Sequence, residues 1–308
     1  SECLVGSEMC IRDRYKGELE KINKNDKELC GYMQNTIGYT YKLLCEENTQ
    51  QKETDIQKEN KWYHKLWKNI VRYCIKGEGI TTTKDTENSI EDWKRQAETY
   101  LKKSVENNPK GRYHQNLGAY YATIRDYDKA LEQYKLAFNA EKRDDKIYNL
   151  IGSVLLYRAE MKLGISERFQ KGIVLSEITL DKIDEEERLN IQNDIKQAYE
   201  WLNLAIKQVN PIINAYYNYS KACIYDSLFL GGGSQKMSEA DKYLNTVEII
   251  WNMNDSQKPK GYLYTRRNYW EANKEYDKAL EINQVIMNDD NSGDARAAER
   301  VYDSKKRN

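Results

Sequence analysis

"RYHQNLGAYYATIRDYDKALEQYKLAFNAEK", residues Arg112 to Lys142, decides the fold. It reads as two helical segments joined by a tight turn, "RDYDKA", residues 125–130. Leu117 and Tyr121 share one face of the first segment, and Ala130, Tyr134 and Ala137 share one face of the second. Gly118 and Ala130 are small enough to let two antiparallel helices approach, while Leu117, Tyr121 and Tyr134 fill the space between them.

The second-helix pattern recurs along the chain. Ala97, Leu101 and Ser104 precede Pro109; Ala198, Leu202 and Ala205 precede Pro211; Ala240, Leu244 and Val247 repeat it; and Ala279 follows Tyr276 in "KEYDKALEINQVI". First-helix partners are "DKIYNLIGSVLLYRAE" with Ile151-Gly152, "NAYYNYSKACIYDSLF" with Tyr219-Ser220, and "GYLYTRRNYWEA". His114-x2-Leu117-Gly118-x2-Tyr121, followed by Ala130-x3-Tyr134 and Ala137, resembles the tetratricopeptide repeat pattern W-x2-L-G-x2-Y, then A-x3-F, with His114 in place of the first Trp. The interval from Ala130 to Ala198 is about two periods of that family's 34-residue repeat. The resemblance implies an all-α fold: a right-handed superhelical solenoid of about four to six antiparallel helix pairs.

Residues 81–308 are assigned to this repeat domain, with insertions expected near 164–190, 231–237 and 254–260. Within the first insertion, Asp184 with Glu187 reads as a capping box that starts a helix able to run to Val209. Residues 15–80 are helical by periodicity but lack the repeat signature. "KWYHKLWKNIVRYCIK" (61–76) sets Trp62, Leu66, Ile70 and Tyr73 on one stripe. Residues 1–14 stand apart. Leu4 to Arg14, "LVGSEMCIRDR", is similar to a translated sequencing-library adapter of the transposon-insertion type, which implies a non-native leader and an environmental source. It lacks the basic start and the apolar run of about 7–15 residues that a secretory leader needs. A native N-terminal portion is therefore expected to be missing.

Composition narrows the function classes. Lys plus Arg number 49 and Asp plus Glu number 49, so zero net charge gives no overall field for nucleic acid or an anionic membrane. No apolar run approaches the about 18 residues of a membrane span. Outside the leader, Cys30, Cys45, Cys74 and Cys223 form no CxxC pair, which suits a reducing, cytoplasmic setting and argues against a zinc site or disulfide framework.

Each apparent chemical motif has a plainer reading. Gly231-Gly232-Gly233-Ser234 follows a helix rather than a strand and lacks the Gly-Lys-Ser/Thr ending of a phosphate loop, so it reads as an interhelical linker. Asn288, Asp290, Ser292, Gly293 and Glu299 sit at calcium-loop spacing, but Asn288 stands where Asp leads and no second loop pairs with it. The expectation there is a solvated turn. His64 and His114, the two histidines, build no triad or metal cluster. The glycosylation sequon at Asn218 falls inside a helix expected to be packed.

What remains is the face that first helices present in the resembled family, a groove that takes an extended peptide or a helix. Carried over by position, it comprises Arg112 and Gln115, then Lys146, Asn149 and Tyr157, then Tyr217, Lys221 and Tyr225, then Tyr264 and Asn268. Amides for a peptide backbone, Tyr faces for apolar side chains and cations for carboxylates suit that task. The fixed Lys/Asn/Arg set with which part of the family clamps chaperone C-termini is not reproduced. The expectation is a non-catalytic protein-interaction module without cofactor or metal, binding a protein or peptide. The alternatives are the regulatory or sensor half of a larger protein, or a helical-repeat RNA binder, which zero net charge disfavours.

Overall fold

The computed structural model describes residues 31, 32, 34, 35, 38, 39, 42, 86–140, 146–252, 258–289 and 293–307. The leader, residues 61–76, His64, and Asp290 and Ser292 of the candidate calcium loop lie outside them. From Thr86 onward the described residues form ten α-helices and no strand, so this part of the chain is all-α.

Two compact units divide the chain, residues 1–124 and 125–308. In the first, α1 (Thr86–Asn107) packs against α2 (Gly111–Thr123). Ala97, Leu101 and Ser104 of α1 are fully buried, as their spacing on one helical face requires. The Tyr120 hydroxyl donates to the Lys94 carbonyl at 2.9 Å, and the Tyr121 hydroxyl to Glu98 at 3.1 Å. These bonds let two large rings be buried without stranding a polar group.

The second unit holds α3 (Tyr127–Ala140), α4 (Lys146–Lys162), α5 (Glu185–Ile206), α6 (Ile213–Phe229), α7 (Gly233–Asn252), α8 (Lys260–Ala272), α9 (Tyr276–Asp289) and α10 (Gly293–Lys306). Each helix packs on the next, and α4 also packs on α6 and α6 on α8. Small residues set the close approaches. A Cβ added to Gly152 of α4 would lie 2.5 Å from Cγ of Leu202 on α5, a distance no packed carbon tolerates. Ala198, Ala240 and Ala279 are wholly buried on α5, α7 and α9.

The turns carry their own logic. Lys274 adopts φ 61° and closes α8: its N–H donates to the Glu271 carbonyl at 3.0 Å, and the Glu275 N–H to the Trp270 carbonyl at 2.9 Å. That pair of bonds satisfies carbonyls the helix end leaves open. Arg125, at the start of the quoted "RDYDKA", has φ 62°. Gly231 and Gly233, at φ 83° and 56°, make the corner into α7, and Gly233 already opens that helix. The interhelical linker expected at Gly231-Gly232-Gly233-Ser234 is a tight corner whose third residue already opens the helix. Asp184 accepts the Glu187 N–H at 2.9 Å and starts α5, which ends at Ile206, three residues short of the expected reach to Val209.

Between α4 and α5, residues 163–184 contain two single-turn 3₁₀ helices, Ile165–Glu167 and Leu175–Glu177. This insertion is folded onto the end of the unit. Phe169 and Val174 share a buried cluster with Ala279 of α9 and Ala297, Ala298, Val301 and Tyr302 of α10.

Candidate functional site

The expected face is built mainly from α4, α6 and α8. Lys146 and Tyr157 of α4 are exposed, Tyr157 by 40%. Tyr217 and Lys221 of α6 and Tyr264 of α8 are half-buried. Tyr217 and Tyr264 pack on one apolar cluster with Tyr262 and Leu263. The close approach of α6 to α8 rests on Gly261, where an added Cβ would come 2.8 Å from the Tyr217 ring. Burial pushes the Tyr217 hydroxyl up to about 12, so it presents a neutral phenol.

Glu160 sits at the centre of the α4–α6 seam. It accepts the Tyr225 hydroxyl at 2.5 Å and pairs with Lys221 at 3.0 Å. The Lys221 ammonium also lies 5.2 Å from the Tyr157 ring centre, and Tyr157 stacks on Tyr127 of α3 at 6.2 Å. Burial works against the Lys221 charge, but the charge and hydrogen bond of Glu160 lead the effects that outweigh it and raise its pKa. Burial, reinforced by Glu160, holds the Tyr225 phenol protonated far above its ordinary range. The seam thus combines a locked ion pair with tyrosine faces, a surface that can bind through ring contacts and hydroxyls.

Three of the expected residues are instead buried and bonded inside the chain. The Asn149 carbonyl oxygen accepts the Asn218 amide at 2.9 Å, Tyr225 is fully covered, and the Asn268 oxygen accepts Arg168 at 2.9 Å. Each links neighbouring elements rather than facing solvent. Arg112 and Gln115 belong to α2 in the first unit, exposed and half-buried respectively. His114, on the same helix, is buried at 8% exposure.

Spacing alone missed a buried ion pair, Arg168 with Glu271. Arg168, in the insertion, donates to both carboxylate oxygens of Glu271 on α8, at 3.2 and 3.1 Å, and to the Ile165 carbonyl at 2.9 Å. Glu271, with no exposed surface, also accepts the Tyr302 hydroxyl of α10 at 2.8 Å and the Leu175 N–H. A buried pair survives desolvation only when its remaining bonds are made, and here they are. The one sequence signal was the apolar residues Phe169, Val174 and Leu175, too many for a solvated loop.

Among the described residues no group of three or more His, Cys, Asp or Glu is placed to hold a metal ion. No helix among them is long and apolar enough to cross a membrane. Comparison with protein-family models and with curated proteins finds no match for this chain.

Proposed function

We propose that the chain is a tetratricopeptide-like, right-handed solenoid acting as a non-catalytic protein-interaction module. It would hold a peptide or helix against the face formed by α4, α6 and α8. The observation that carries this reading is the packing of α4 on α6 and α6 on α8, in addition to the pairing of each with its successor. Alternate-helix packing of that kind lines up first helices side by side in stacked repeats.

The accessible contacts of the face are Lys146, Tyr157, Tyr217, Tyr264 and the rim of Lys221. Tyr rings offer apolar area at small entropic cost, and Lys146 offers a cation to a partner carboxylate. Asn149, Tyr225 and Asn268 support that surface from beneath. The test is to pan a displayed random-peptide library against the full chain and against a Tyr157→Ala, Lys146→Glu variant. Both substitutions are at exposed positions, so the fold should be retained. Peptides selected on the parent should lose at least about tenfold in affinity for the variant, roughly 1.4 kcal/mol. Equal affinity would refute the assignment of this face.

A further inference from the structure

A second site is lined by residues other than those of the tyrosine face. Between the insertion turn 169–172 and α10 is a cleft of about 590 Å³, within the range of ligand and side-chain pockets. Its apolar lining comes from Phe169, Ala297 and Val301, and among the described residues its charged lining is Arg300 and Lys305. Ser304 lies on its edge and is shared, with Arg300, by an adjoining depression of about 360 Å³ that Asp303 and Arg307 complete. We propose that this cleft is a docking site for an acidic segment that inserts an apolar side chain between the insertion and α10.

The walls are fixed before any ligand arrives. Arg168, next to Phe169 on one wall, and Tyr302, on the other, both bond the carboxylate of Glu271. The Phe169 and Tyr302 rings meet edge to face at 5.6 Å, and Lys305 pairs with Glu177 across the rim. A cleft whose two sides are tied to one buried group loses little freedom on binding. Arg300 is exposed and makes no ion pair with a described residue. It is therefore the cation left to meet a carboxylate, while Phe169, Ala297 and Val301 receive the apolar group. Charge complementarity selects acidic over basic partners, because an unpaired cation facing a cation is repulsive.

The test uses the full chain and three capped tetrapeptides, Glu-Leu-Phe-Glu, Lys-Leu-Phe-Lys and Glu-Ser-Ser-Glu, with dissociation constants taken from ligand-observed NMR. The acidic apolar peptide should bind at least about tenfold tighter than either control and weaken as salt is raised. Arg300→Glu should weaken it at least about tenfold, and Ser304→Trp, which adds a ring at the exposed edge, should block it. Both variants should unfold at the parent's midpoint, since neither position is buried. Absence of binding, equal affinity for the three peptides, or no effect of either variant would overturn the proposal. Arg300 and Ser304 lie on α10 and Tyr157 and Lys146 on α4, so this outcome is read at different residues from the peptide-panning result.

Discussion

Arg168 and Glu271 are 103 positions apart in sequence and 3.1 Å apart in space. Their pair ties the insertion after α4 to α8, and Tyr302 adds α10 to the same carboxylate. Arg168→Met removes the cation and leaves Glu271 buried without it. The expected cost is about 3–5 kcal/mol, because a broken buried pair leaves an uncompensated charge. Adding Glu271→Gln removes the stranded charge, and its amide oxygen can accept the Leu175 N–H while its NH2 donates to the Tyr302 hydroxyl oxygen, so it should recover a substantial part of that loss. Urea denaturation of the single and double variants measures both; an additive double variant would contradict the pairing.

Gly152 and Leu202 offer a test of packing. With Leu202 Cγ 2.5 Å from the position of an added Cβ, Gly152→Ala should destabilise by about 1–3 kcal/mol through overpacking. Gly152→Ala with Leu202→Ala should cost less than the sum of the single changes, because each relieves the other's misfit. Denaturant midpoints at constant slope check this.

These residues also show which parts of the fold the sequence exposes. Gly152, Ala198, Leu202 and Ala205 are readable because helical spacing and small side chains are local properties, and Asp184 is readable because a cap bonds three residues away. Arg168 is not readable: nothing near it announces a carboxylate on α8, with three helices in between. The same blindness affected the candidate face. Asn149, Tyr225 and Asn268 occupy positions that spacing assigns to the groove, but their partners, Asn218, Glu160 and Arg168, come from distant segments and draw them inward. Tyr157, by contrast, is exposed where spacing puts it.

Tyr217 sets an alkaline limit. Burial raises its pKa to about 12 from the ordinary 10.0, so the folded chain keeps a proton that the unfolded chain releases earlier. That contribution is whole below pH 10 and is lost as pH rises from 10 to about 12. Tyr217→Phe keeps the ring on Gly261 and removes the titration. Urea midpoints between pH 9 and 11.5 should fall more steeply for the parent than for the variant; parallel curves would contradict the burial of the phenol.

Cys223 is fully buried on α6, and burial, with Glu239 adding to it, drives its thiol pKa strongly upward. The reactive thiolate is therefore suppressed. Iodoacetamide at pH 8 should leave the Cys223 peptide unmodified in the folded chain and label it in denaturant, as read by peptide mass spectrometry. Labelling at equal rates in both states would show that α6 opens freely.

The most direct test of the account is hydroxyl-radical footprinting of the chain with a library-selected peptide bound. Protection of Tyr157 and Tyr217, at least about twofold in oxidation rate, would show a partner lying on α4 and α6, as solenoid groove binding requires. Unchanged Tyr157 and Tyr217, with protection instead at Leu204 of α5 or Val285 of α9, which are 45% and 46% exposed, would contradict it.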